Sequence, residues 1–252
     1  MPRVGYPAGH RRPVAGARQP WLLLAAHGSR DPASAVTMRA LAARVGRVWP
    51  APVVATFLDF NEPSIGDALA WPPEGETPIV VPALLTHAYH GRVDLPAVLA
   101  ASRPVALAPV LGPDPLLLAA LRRRLSSWPG HPDAIVLIAA GTSDALARST
   151  VDAAAAQLGR ALGVSCVAGY ASSPGPSPGE AVLALRRAGA RRVLAASYFL
   201  APGRLYGAAA RSALEADAVG VAPPLGAADE VVRLVVARAR TAIRAGRVPA
   251  AV

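Results

Sequence analysis

The chain has 252 residues, 53% of them hydrophobic and 17% charged, which suits one large or two small globular domains and excludes a disordered polymer. Its longest apolar runs, such as "IVVPALL" from Ile79, fall far short of the roughly 18 residues of a membrane-spanning helix, so no membrane partner is expected. The net charge is +10 and every basic residue is arginine, but no aromatic-rich basic stripe or binding-motif spacing accompanies that charge, so nucleic acid is not the expected partner.

Residues 1–20, "MPRVGYPAGHRRPVAGARQP", hold four arginines and no acid. They lack the apolar stretch of an export signal and read as a disordered basic tail. A cytoplasmic location is expected, and the single cysteine, Cys166, fits a reducing compartment. The first apolar run, Trp21–Ala26, reads as a buried strand. A polar turn and a helix over Ala33–Val48 follow, then a strand at Val53–Leu58, a proline-rich turn and a helix at Ile65–Ala70. The third strand is expected at Pro78–Leu85. A long loop and helix lead to a short strand, Val105–Val110, and a helix at Leu116–Leu125. "SSWPGHPD", Ser126–Asp133, breaks both periodicities and reads as a linker. The same order then recurs. Strands are expected at Ile135–Ala140, Val164–Tyr170, Arg192–Phe199 and Ala218–Val221, and helices at Ala145–Leu162, Glu180–Ala188 and Glu230–Ala242.

The recurrence extends to the residues themselves, at an offset of 113 to 115. "LLLAAHGSRDP" from Leu22 answers to "VLIAAGTSDAL" from Val136, "PSIGDAL" from Pro63 to "PSPGEAV" from Pro176, and "LAPVLGPD" from Leu107 to "VAPPLGAAD" from Val221. Strands alternating with helices mean parallel sheets with right-handed crossovers. The expected fold is α/β: two tandem, duplicated domains, 21–128 and 133–245, each a small parallel sheet flanked by helices.

Ligands on such sheets bind beyond the carboxyl ends of the strands. In the first half those ends carry His27, Asp59 and, in "THAYHGRVDLP", His87 and His90. Two imidazoles and a carboxylate suit a first-row divalent metal, and an imidazole near neutral pKa can also accept substrate protons. At the same offsets the second half places Gly141 for His27, Ser172 for Asp59 and Leu205 for His90. It keeps the architecture and loses the candidate ligands, so those residues serve function rather than folding. His87 has a weaker case, since Pro202 is its counterpart.

"HGSRDP", "FLDFNEPSI" and "YHGRVDLP" together resemble the sirohydrochlorin chelatases of the CbiX/SirB type, in the double-length form. That resemblance implies a lyase that inserts Fe²⁺ or Co²⁺ into sirohydrochlorin, for sirohaem or cobalamin biosynthesis. The metal is then a substrate, and no nucleotide or redox cofactor is implied. The family's two histidines fall on His27 and His90, as metal ligands and proton acceptors. Its usual glutamate falls on Asp59, one methylene shorter, with Glu62 as a substitute carboxylate. Arg30 and Arg92 flank the histidines and are candidates to grip the carboxylates of the anionic macrocycle. Arg92 could instead pair with Asp94. Tyr89 could stack on the ring, and Ser29 also faces the rim.

Blander readings stand beside these. His27 could be a helix N-terminal residue hydrogen-bonded to the loop, His90 a surface loop histidine, Asp59 a turn or capping carboxylate, and Asp31 and Ser29 caps of the following helix. A non-catalytic metal carrier would use the same histidines without a macrocycle. A nucleotide-binding module is disfavoured by the missing glycine-rich fingerprint and the missing P-loop. Because two halves in one chain can form the cleft, a monomer is expected, with a homodimer as the alternative.

Overall fold

The computed structural model describes residues 19–86, 95–100, 102–172 and 174–246. Two four-stranded parallel sheets are present among them. The first half runs β1 (Leu22–Ala26), α1 (Pro32–Val45), β2 (Val53–Phe57), α2 (Ile65–Ala68), β3 (Ile79–Pro82), α3 (Leu95–Ala100), β4 (Ala106–Leu107) and α4 (Pro115–Ser126). The second runs β5 (Ala134–Ala139), α5 (Ala145–Leu162), β6 (Ser165–Tyr170), α6 (Pro178–Arg187), β7 (Val193–Ser197), α7 (Arg204–Glu215), β8 (Gly220–Val221) and α8 (Asp229–Gly246). Strand orders are β2-β1-β3-β4 and β6-β5-β7-β8, so the duplication expected from the sequence is a duplication of topology.

Strand alternation sorts the core. Leu22, Leu24 and Ala26 of β1 share one large apolar cluster with Ile135, Leu137 and Ala139 of β5. Leu23 and Ala25 face the other way, onto Ile65, Leu69, Leu95 and Leu99. On the second sheet Val136 and Ile138 face α6 and α7 through Val182, Leu185, Ala209 and Ala213. The shared cluster therefore lies between the sheets, filled by α1, α4, α5 and α8.

The last helices are exchanged between the halves. α8 packs against β3, β4, α1 and α4 of the first half, while α4 packs against α5 and β7 of the second. Polar contacts lock this arrangement. Arg123 grips Glu230 in a fork, Nε to Oε1 at 3.0 Å and Nη2 to Oε2 at 3.0 Å. Arg238 donates to the carbonyls of Val110 and Leu111, each at 2.9 Å, and to Asp114 Oδ2 at 3.0 Å. Arg44 pairs with Asp229.

Element ends differ from the sequence expectation for identifiable reasons. α1, α4 and α6 begin earlier, at Pro32, Pro115 and Pro178, because proline at the first helical position needs no N–H and has the right φ. Asp31, Asp114 and Ser177 cap them from just outside. β4 is two residues long rather than six: Pro104 and Pro109 bracket it and cannot donate to a ladder. α1 stops at Val45 and turns so that Trp49 is buried, its indole N–H donating to the Pro20 carbonyl at 3.0 Å. Among the described residues, no helix is long and apolar enough to cross a membrane.

Candidate functional site

A cleft of about 1040 Å³ opens at the carboxyl ends of the strands of both sheets. From the first half it takes Ala26–Arg30, Phe60 and Ala83–Thr86. From the second it takes Ala139–Thr142, Tyr170, Ser172, the segment after β7 and the first two turns of α7. The two walls approach closely: a Cβ on Gly203 would stand 3.4 Å from Ser29 Oγ.

His27 follows the last residue of β1 and extends its pairing, its carbonyl accepting from Asp59 N at 2.9 Å. The imidazole is half-buried and lies edge-on to the Phe60 ring, centroids 6.3 Å apart. The chain can turn there because Gly28 has φ +95° and passes so close to β2 that a Cβ would sit 1.9 Å from the Asp59 carbonyl oxygen. Only glycine meets both demands. Beyond it, Ser29 N donates to Asn61 Oδ1 at 2.9 Å, Ser29 Oγ accepts from Asp31 N at 3.1 Å, and Asp31 caps α1 by accepting from Ala33 N. Arg30 is exposed, its guanidinium 5.3 Å from the Phe60 ring centroid.

The second half repeats the backbone of this turn. Gly141 has φ +89° and would place a Cβ 2.3 Å from the Ser172 carbonyl oxygen. Ser172 N donates to the Ala140 carbonyl, and Thr142 Oγ1 accepts from Asp144 N. This register pairs Gly28 with Gly141 and Ser29 with Thr142. The counterpart of His27 is therefore Ala140, one residue earlier than the Gly141 of the sequence comparison. The imidazole is absent from the second half all the same.

Of the other expected site residues, Asp59 is exposed, and its Oδ1 accepts from Phe60 N at 2.9 Å. Glu62 is also exposed, its Oε2 accepting from Ser64 N at 2.9 Å. Neither is among the described residues lining the cleft. His87, Tyr89, His90 and Arg92 lie outside the described residues. Among the described residues no three His, Cys, Asp or Glu side chains gather as a metal site, and His27 is the one imidazole among the described residues of the cleft lining.

The lining is lopsided in charge. It includes Arg30, Arg204 and Arg211, a set of hydroxyls (Ser29, Thr86, Thr142, Tyr170, Ser172, Tyr206), and no carboxylate among the described residues. Tyr170 donates to Asp152 Oδ1 at 2.5 Å, and burial leads that contact in holding its phenol well above its ordinary pKa. Sequence reasoning missed Phe60, which takes a positive φ of 62° at the rim while 49% exposed, and the two arginines of α7. The second aromatic of "FLDFNEPSI" was a signal for Phe60. The arginines had none, in a chain where arginine supplies every basic charge.

The CbiX family model matches residues 21–128 and again 134–242. The chain belongs to the CbiX family. Among curated proteins, no relative matches the sequence. Among solved structures, SirB of Bacillus subtilis subspecies spizizenii in complex with cobalt is 21% identical and aligns over 91% of this chain and 98% of its own, with a TM-score of 0.74. SirB from Bacillus subtilis with Fe³⁺ is 22% identical over the same shares, with a TM-score of 0.73. CbiX, the terminal enzyme for sirohaem biosynthesis in denitrifying bacteria, is 21% identical over 90% and 99%, with a TM-score of 0.65. The family model establishes the family, and the likenesses to solved structures agree with its fold, two tandem parallel sheets flanked by helices.

Proposed function

We propose that the protein is a sirohydrochlorin chelatase, a lyase that inserts a divalent metal, Fe²⁺ or Co²⁺, into the macrocycle. The observation that carries this reading is the pairing of a half-buried imidazole, His27, with a large cleft that bears arginines and no carboxylate among its described residues. Such a cleft attracts a polyanion, and its volume suits a ligand far larger than a bare ion. That size weighs against a metal carrier, which needs only a few ligand atoms. SirB of Bacillus, of the same fold, is known with cobalt and with iron, and CbiX acts in sirohaem formation, which supports the same chemistry here.

In this reading the macrocycle enters between the two halves with its carboxylates toward the arginines. His27, whose imidazole projects from a strand end held on both sides by the ladder, binds the incoming metal and, once the metal has passed into the ring, takes up a pyrrole proton on the nitrogen the metal has left. His90 supplies the second imidazole. Asp59 supplies the acidic partner, since the bond from Asp59 N fixes its backbone against His27. Catalysis consists of positioning, metal delivery and proton removal, with no nucleotide or redox cofactor. The domains span 21–128 and 133–245, preceded by the basic tail. One chain provides both cleft walls, so the monomer is the active unit, working in the cytoplasm without nucleic acid.

The test follows absorbance of anaerobic sirohydrochlorin with Fe²⁺ or Co²⁺. Wild type is expected to exceed the spontaneous rate, and His27→Ala and His90→Ala to abolish the excess. A wild type no faster than the spontaneous reaction with either metal overturns the reading.

A further inference from the structure

The wall facing His27 belongs to the half without the imidazole, and its chemistry is distinctive. α7 runs along that wall and presents Arg204, Gly207, Ala208 and Arg211 to the cleft. The spacing i, i+3, i+4, i+7 puts all four on one stripe of the helix, while Ala209 and Ala213 are buried on the opposite side against the sheet. Seven residues at 1.5 Å each separate the two arginine positions by about 10 Å along the axis. Between them the surface is flat: Ala208 is small, and a Cβ on Gly207 would meet nothing within 4 Å. Phe199 and Tyr206 stand beside this shelf as an edge-to-face pair with centroids 5.7 Å apart.

The guanidinium groups of Arg204 and Arg211 are exposed and form no hydrogen bond or ion pair with the described residues. Other arginines are held internally, Arg123 on Glu230, Arg238 on Asp114 and Arg103 on three carbonyls, and several more, Arg160 and Arg187 among them, lie exposed outside the cleft; what sets Arg204 and Arg211 apart is their place in its lining. Two unneutralised forks at the ends of a bare shelf, inside a concavity without described carboxylates, match a flat ligand with carboxylates on its rim. Guanidinium pairs with carboxylate in bidentate fashion.

We infer that Arg204 and Arg211, with the Gly207–Ala208 shelf between them, form a carboxylate clamp by which the second half holds one edge of the macrocycle and selects polycarboxylated tetrapyrroles. This rests on the function proposed above and extends it. The duplicate that lacks the imidazole retains a task, that of gripping the ring while the first half works at its centre. The clamp acts on binding and leaves the metal-handling residues untouched.

The experiment measures binding of metal-free sirohydrochlorin, and of coproporphyrin with half as many carboxylates, by fluorescence under anaerobic conditions. The proteins compared are wild type, Arg204→Gln/Arg211→Gln, and a control, Arg160→Gln/Arg187→Gln, which removes the same charge from exposed positions outside the cleft lining. The clamp variant is expected to bind sirohydrochlorin at least tenfold more weakly, with KM raised and kcat at saturation within about twofold of wild type. Its loss for coproporphyrin is expected to be smaller, and the control to stay within about twofold of wild type. Gly207→Leu adds an independent arm: removing a helical glycine raises the melting temperature, whereas filling the shelf weakens binding. Equal affinities in the clamp variant and the control, or unimpaired binding by Gly207→Leu, overturn the clamp and leave the chelatase reading standing. Failure of wild type to bind sirohydrochlorin overturns both.

Discussion

Replacing Gly28 by alanine tests whether the backbone behind His27 is as constrained as it looks, and the duplication provides the control. A Cβ at Gly28 would lie 1.9 Å from the Asp59 carbonyl oxygen, and one at Gly141 would lie 2.3 Å from that of Ser172. To restore contacts of about 3 Å, each strand end must retreat by about 1 Å, which breaks the Asp59 N to His27 O bond in one half and the Ser172 N to Ala140 O bond in the other. A left-handed non-glycine residue costs about 1–2 kcal/mol, and the lost hydrogen bond about 0.5–1.5 kcal/mol. With residual crowding the sum is about 2–4 kcal/mol for either variant, or about 5–15 °C in melting temperature for a chain of this size. Only Gly28→Ala displaces an imidazole. In anaerobic metal insertion at a temperature where both variants remain folded, it should lose about 10²-fold in rate, while Gly141→Ala stays within a few-fold of wild type. A Gly28→Ala protein that melts with wild type, or two variants with equal rates, refutes this account of the turn.

The Arg123–Glu230 fork makes stability depend on acid. Its leading hydrogen bond holds the Glu230 carboxyl below its usual pKa, so its contribution is complete above the unfolded value, about 4.3, and fades as pH falls through the lower folded value. The unfolding free energy of wild type should exceed that of Glu230→Gln by about 1 kcal/mol near neutrality, with the gap closing below about pH 4; a gap that widens in acid contradicts the assignment. Asp59→Asn preserves the acceptor for Phe60 N and removes only charge, so it should slow metal insertion more than tenfold at unchanged melting temperature, while Glu62→Gln does not; an unaffected Asp59→Asn takes that carboxylate off the metal's path. Burial pushes the Cys166 thiol to about 12, so a thiolate-selective reagent at pH 8 should label the native protein far more slowly than the urea-unfolded chain. Rapid native labelling would show that β6 is not packed as described.

The order of strands and helices was legible because buried parallel strands read as short apolar runs and the helices as periodic ones. The capping residue Asp31 was readable in the same way. What the sequence blurred was register. "LLLAAHGS" and "VLIAAGTS" align equally well one residue apart, since neighbouring alanines look alike, and only the ladder from Leu58 and Ala171 pins Ala140 to His27. The α7 clamp was hidden for a different reason: a side chain's relation to a cleft depends on which half faces which, and no local pattern encodes that. Strand-end logic found His27 because the carboxyl edge of a parallel sheet is a property of each half alone.

The exchanged helices also set a timetable. α8 carries Val231, Leu234, Val235 and Ala239 into the cluster between the sheets, and it is the cover for β3 and β4. During synthesis the first sheet emerges long before residues 229–246. Its inner face therefore stays partly open until α8 arrives, and the rim that carries His27 is completed only after the second repeat has been translated. A ribosome that stalls in the second repeat leaves a first repeat with its apolar face uncovered, the state that chaperones bind and proteases clear.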